Sequence, residues 1–294
     1  MSEPRVIRTI SDMQATSDNL RGEGRRIGHV PTMGYLHAGH TTLIQQASRL
    51  TSDVVVSLFV NPTQFGQNED FSSYPRDFDS DVRLIGAAGG RMVFAPEPYE
   101  MYPEGFVTSV KIDRLSDHLC GASRPGHFEG VATVVTKLFS AVKPHFAVFG
   151  QKDAQQLGII RKMVQDLNID VDILGAPTVR EADGLAKSSR NTYLNLKERQ
   201  AATVIFQALQ KGRDLVCRGE KDVKHVVSTM EDLVLAKPLA EVEYISAVDP
   251  GDFQPVDQIS GKVLIAMAVR FGKARLIDNL MVKEPDESKS DNTV

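Results

Sequence analysis

Through the first part of the chain, short apolar runs alternate with stretches of helical periodicity. The runs at 26–30, 54–60, 91–94, 146–149 and 170–175 are short and largely apolar. Such runs predict strands buried on both faces, as in a parallel sheet covered by helices. Between them lie helical patterns. Leu43, Ile44, Ala47 and Leu50 share one face, and Val131, Val134, Val135, Leu138, Phe139 and Val142 share another. Leu157, Ile160, Met163, Val164 and Leu167 repeat the same spacing. From about residue 179 the texture changes. One long helix is expected over 196–217 and a second over 222–235, followed by strands at 242–248, 263–269 and 275–281. Phe271-Gly272-Lys273 joins the last two strands as a hairpin. The predicted fold class is therefore α/β: a parallel-sheet domain over 1–178 and a smaller C-terminal α+β domain over 179–282. The charged, aperiodic stretch 283–294 reads as a disordered tail.

Composition narrows the setting. The 294 residues are 41% hydrophobic and 24% charged, an ordinary globular balance. A net charge of -4 argues against broad nucleic-acid binding, and no apolar run is long enough for a membrane span. The two cysteines, Cys120 and Cys217, form no CxxC pair, and Met1–Arg5 holds no apolar signal core. Both features fit a reducing cytosol, so a cytoplasmic location is expected.

Chemistry-bearing residues concentrate directly after the predicted strands, where ligands of open α/β sheets bind. Met33-Gly34-Tyr35-Leu36-His37-Ala38-Gly39-His40 stands between a strand and a helix. Unpaired N–H groups at a helix start attract phosphate, and two imidazoles there can donate to its oxygens. Helix capping is the plainer use of the same histidines. The octapeptide resembles the HxGH signature of adenylyl-transferring enzymes, which use ATP and release pyrophosphate. Phe59-Val60-Asn61-Pro62-Thr63-Gln64-Phe65-Gly66 ends the next strand and offers the Asn61 and Gln64 amides, although turn chemistry alone favours Asn and Pro. Gly150-Gln151-Lys152-Asp153 opens the helix that carries Gln156. Lys152 in a first turn opposes the helix dipole unless an anion binds there. Lys187-Ser188-Ser189-Arg190 bunches hydroxyls with a guanidinium, either as a solvated cap region or as a phosphate clamp. Asp77, Asp79 and Asp81 alternate, a pattern suited to a magnesium partner or to an acidic helix start. Arg124-Pro125-Gly126-His127-Phe128 precedes a strong helix as a cap or a substrate-side loop.

Taken together, PTMGYLHAGH, FVNPTQFG, RPGHF, FGQKDAQQ and VREADGLAKSSRN resemble the pantoate–β-alanine ligase family in order and spacing, over nearly the whole chain. The resemblance implies a Rossmann-like ATP-binding domain, a C-terminal lid and a homodimer that takes only small-molecule substrates. It also implies roles. Met33 to His40, Gly150 to Asp153, Val179 and Lys187 to Arg190 would contact ATP. Gln64 and Gln156 would bind pantoate, with Gln64 also near β-alanine, and Asn61 and Met33 would lie beside them. His37, His40, Lys152 and Arg190 would be catalytic, with Mg²⁺ as the metal partner of ATP. Two positions depart from the family pattern. Lys187 stands where an apolar residue is usual, and Ser80-Asp81 replaces an acidic pair, so only Asp81 carries over as a metal-side residue. The expected reaction forms pantoyl adenylate and pyrophosphate, then pantothenate and AMP. The alternatives are an HxGH adenylyltransferase that keeps the adenylyl group on its product, an aminoacyl-tRNA synthetase-like enzyme, and a non-catalytic nucleotide sensor. The small acidic chain and missing RNA-binding appendage weigh against the synthetase.

Overall fold

A computed structural model describes residues 3–67 and 69–285. The described residues divide into two compact units: one up to residue 116 together with 124–179, the other 117–123 together with 180–285.

The first unit alternates strands and helices: β1 (Arg5–Ile7), α1 (Ile10–Gly22), β2 (Ile27–Thr32), α2 (Ala38–Ser48), β3 (Asp53–Leu58), α3 (Phe78–Ala88), β4 (Met92–Phe94) and α4 (Pro98–Met101). The short α5 (Cys120–Ser123) belongs to the second unit, after which α6 (His127–Val142), β5 (Phe146–Gly150), α7 (Ala154–Asp166) and β6 (Asp172–Ala176) complete the first. All six strands pair in parallel, in the order β1-β4-β3-β2-β5-β6. β1 was not expected, because a three-residue strand is too short to show a pattern. It is held by its register on β4, Arg5 opposite Met92. Val30, Val54, Val56, Val93, Phe146 and Val148 pack with Ile44 and Ile85 into one buried cluster. This explains why these strands read as unbroken apolar runs rather than as alternation.

The strand order determines where ligands can sit. From β2 the chain builds one half of the sheet through β3 and β4, and the other half through β5 and β6. The reversal falls between β2 and β5, where Gly28 lies opposite Phe146. A crevice opens beyond the strand ends at such a point. β3, β2 and β5 are consecutive neighbours, and their C-terminal ends lead into Asn61, the 33–40 segment and Gln151, respectively. Three motifs far apart in sequence therefore share one edge.

In the second unit, the helix expected over 196–217 is two helices, α8 (Leu196–Ala201) and α9 (Val204–Cys217). The Thr203 hydroxyl donates to the Gln200 carbonyl at 2.9 Å at the interruption, a local bond that competes with the helix ladder. Then follow α10 (Val223–Leu235) and an antiparallel sheet of β7 (Ala240–Val248), β8 (Lys262–Phe271) and β9 (Ala274–Lys283). Ile205, Leu209, Met230, Ile265 and Met267 are fully or almost fully buried in its core. β9 reaches Lys283, the first residue of the stretch assigned to a tail, and residues 286–294 of that stretch lie outside those described.

Candidate active site

β2 ends at Thr32, whose hydroxyl donates to the Ser57 carbonyl on β3 and accepts from the Gly34 N–H. The chain then turns through two left-handed residues, Gly34 at φ 82° and Tyr35 at φ 50°, before His37 caps α2. Glycine adopts that region freely; tyrosine does so at a cost. The compensation comes from α3. The Asp81 carboxylate, 3% exposed, accepts the Tyr35 N–H at 2.8 Å and the Leu36 N–H at 2.7 Å. Burial pushes this carboxyl up from its ordinary range, while the two backbone donors pull it down.

The two histidines are locked in matching tautomers. His37 Nδ1 accepts the Gly39 N–H at 3.1 Å, and His40 Nδ1 accepts the His37 N–H at 3.3 Å. A neutral imidazole whose Nδ1 accepts must carry its proton on Nε2. The rings lie 4.1 Å apart at 36°. Burial, with His37 and the Lys152 ammonium beside it, pushes His40 well below its usual pKa, so it is neutral at pH 7. Capping and donation are thus the same arrangement: the helix N–H groups hold Nδ1 and leave an Nε2–H donor.

Lys152 occupies a 3-10 turn, Gln151–Asp153, ahead of α7, and its ammonium lies 3.6 Å from the Asp153 carboxylate. Gln156 follows on α7, half-buried, beside Gln155, whose amide donates to the Leu115 carbonyl.

Beyond β3, Asn61 is 1% exposed. Its amide N–H donates to Gln64 Oε1 and to the Gly130 carbonyl, both at 3.1 Å, and its Oδ1 accepts the Tyr102 hydroxyl at 2.8 Å. Gln64 Nε2 donates to Met33 Sδ at 3.1 Å. A thioether is a weak acceptor, so this N–H is readily given up to a ligand oxygen. Asn61, Gln64 and Met33 therefore form one cluster, although turn chemistry alone could have accounted for the first two.

The 124–128 segment is a brace for that cluster. Arg124 pairs bidentately with Glu69 at 2.7 and 2.6 Å and donates to the Gln64 carbonyl at 3.3 Å. His127 Nδ1 bonds the same carbonyl at 2.8 Å. Burial pushes the Glu69 carboxyl up, but the guanidinium dominates and holds it at about 2. Sequence reasoning did not pair these residues, because Glu69 and Arg124 stand 55 positions apart.

In the second unit, Arg180 and Ala186 bridge across the turn at Gly184, where φ is 91° and a Cβ would strike the Phe206 ring. Arg180 pairs with the buried Asp278, anchoring the segment to β9. Ser188 caps a 3-10 turn that carries Ser189, 7% exposed, and Arg190. The Lys187 ammonium is 2.8 Å from Glu181, so the charge that departs from the family pattern is already paired within its own unit.

Asp81 serves the backbone of the turn. Both of its oxygens are engaged by backbone N–H groups and the side chain is occluded. Among the described residues no group of three His, Cys, Asp or Glu is placed to hold a metal ion. No helix is long and apolar enough to cross a membrane.

A parallel sheet whose phosphate-seeking loops converge at the strand-order reversal defines a nucleotide-binding α/β class. Comparison with known proteins narrows that class. A family model for pantoate-beta-alanine ligase matches residues 5–281. The pantothenate synthetase of Heliobacterium modesticaldum is 54% identical over 279 residues, covering 95% of this chain and 99% of its own. The crystal structure of the Thermus thermophilus pantothenate synthetase superposes with a TM-score of 0.88 at 44% identity, covering 94% of this chain and 98% of the other. The pantoate-beta-alanine ligase of Francisella tularensis, solved with beta-gamma ATP and beta-alanine, gives 0.79 at 31% identity, covering 95% and 97%. The chain belongs to the pantoate–β-alanine ligase family and is an enzyme of that kind.

Proposed function

We propose that this enzyme joins pantoate to β-alanine in two steps through a pantoyl adenylate. The observation that carries this reading is the pair of Nε2–H donors fixed at the start of α2. A pantoate carboxylate oxygen attacks the α-phosphorus of ATP, and the bond to the pyrophosphate oxygen breaks. The carboxylate is already ionised near pH 7, so the step needs charge stabilisation and alignment, not a base. His40 is neutral and has Nδ1 occupied, so it suits donation to phosphate oxygens and not proton removal. His37 acts beside it, and Lys152 adds a full positive charge.

Met33 to His40 and Gly150 to Asp153 are assigned to ATP in the first unit; Val179 ends that unit and is assigned likewise. Lys187 to Arg190 are likewise assigned to ATP, with Arg190 as the cation and Lys187 contributing backbone, since its ammonium is paired. Gln64 and Gln156 hold pantoate, and Asn61 orients Gln64 through its amide. In the second step the β-alanine amine attacks the acyl carbon, AMP departs, and the amine loses a proton. A magnesium ion accompanying ATP would help neutralise the phosphates, with Asp81 serving the turn. A homodimer and a cytoplasmic location complete the reading.

Two measurements test it. Incubating the enzyme with ATP and pantoate should release pyrophosphate, and adding β-alanine should then release AMP. Pyrophosphate without AMP, with the adenylyl group retained on a stable product, would make the chain an adenylyltransferase instead.

A further inference from the structure

We infer that Asp81 is a positioning residue of the ATP site: its buried carboxylate holds the 33–37 turn in the shape that aims His37 and His40. This role rests on the proposed function. Three observations meet at this side chain. It accepts two successive backbone N–H groups, from Tyr35 at 2.8 Å and Leu36 at 2.7 Å. Those groups belong to a turn in which Tyr35 sits at φ 50°, a conformation that a non-glycine residue keeps only when its surroundings enforce it. Neighbouring Gly34, at φ 82°, is packed so closely that a Cβ there would lie 2.9 Å from Asp81 Oδ2.

The turn passes directly into the His37 cap, whose own N–H fixes the His40 tautomer. A shift at Tyr35 or Leu36 therefore reaches both donors. Asp81 stands in the first turn of α3, with Asp77 capping the helix through the Ser80 N–H, so the carboxylate is delivered by a rigid element. A carboxylate is the group suited to this task, since it alone offers two acceptors with no donor in so small a side chain.

Asp81→Asn separates this role from metal binding. The amide retains one acceptor but turns an NH₂ toward the second backbone N–H. Pyrophosphate release from ATP and pantoate should slow by roughly 10²-fold, the scale of an ångström-sized misplacement of reacting groups. The Mg²⁺ concentration giving half-maximal rate should stay at the parent value. ATP binding measured by calorimetry in EDTA should weaken about tenfold, because the defect lies in the protein and not in a metal. Adding Tyr35→Gly removes the left-handed penalty and should restore part of the lost binding.

A D81N enzyme with parent rates and parent ATP affinity would overturn the role. So would a raised Mg²⁺ requirement with unchanged binding in EDTA, which would mark a metal ligand. Should D81N alone fail to fold, the D81N/Y35G protein is measured instead, with the same two outcomes overturning the role. A parent enzyme that releases no pyrophosphate would overturn the ligase mechanism, and this role with it.

Discussion

Gly130→Ala would test whether packing of α6 against the 61–64 turn sets the proposed pantoate site. Gly130 lies one turn into α6, and a Cβ built there would fall 2.5 Å from the Thr63 carbonyl oxygen, 2.6 Å from its carbon and 2.7 Å from the Gln64 nitrogen. Every obstructing atom is backbone, so no side chain can rotate away. Restoring the 3.4 Å of ordinary contact requires the turn to retreat by about 0.9 Å. The turn cannot retreat freely, because the Gly130 carbonyl also accepts the Asn61 amide at 3.1 Å and Arg124 and His127 grip the Gln64 carbonyl. Overpacking of this kind costs about 1–3 kcal/mol, and the better helix propensity of alanine returns about 1. Stability should therefore change little, by about 0–2 kcal/mol. Activity should change more: displacing Gln64 by nearly 1 Å should reduce kcat/KM for pantoate by roughly 10²-fold, with KM for ATP nearly unchanged. Steady-state kinetics with each substrate varied, beside a denaturant melt, would read both effects. A G130A enzyme whose kcat/KM for pantoate stays within twofold of the parent would refute the claim that this contact places Gln64.

Three further outcomes follow from the same structure. His29 is fully buried on β2, with Nε2 bonded to Ser57 and burial pushing it down to about 3. Its folded pKa lies below its unfolded one, so its stabilising contribution is complete above about pH 6.5 and is lost as pH falls toward 3; at pH 5 the loss is about 2 kcal/mol. Denaturant unfolding at pH 7 and 5 should show His29→Gln losing less than the parent by about that amount, and equal losses would exclude His29 as the source. Lys152→Ala should slow pyrophosphate release by roughly 10²-fold or more with little change in stability, and near-normal release would remove Lys152 from the phosphate chemistry. Lys187→Met should leave KM for ATP within about threefold, because the ammonium is engaged by Glu181. A tenfold rise in KM would show that it reaches the nucleotide.

Much of this enzyme was legible in its sequence. Fully buried strands must be apolar at nearly every position, so β3 and β5 stood out as unbroken runs. The apolar stripe of α6 followed from helical spacing. The His37-Ala38-Gly39-His40 segment declared a helix start by its place between an apolar run and a periodic one, and the histidines' capping bonds are local, spanning two and three residues. Local chemistry of this range is written in adjacent residues. What sequence could not supply was adjacency across the chain. Asp81 read as a metal-side carboxylate, and only the packing of α3 set it beneath a turn 45 and 46 residues away. The 124–128 segment read as a cap or a substrate-side loop until it met Glu69 and Gln64, and Lys187 had two readings until the fold paired it with Glu181. Above all, strand order placed the ends of β3, β2 and β5 side by side. The sequence alone determined which residues could bind phosphate, because that depends on side-chain type and helix ends. Tertiary structure decided which of them share one edge of the sheet, because strand pairing and burial join segments that no local rule connects.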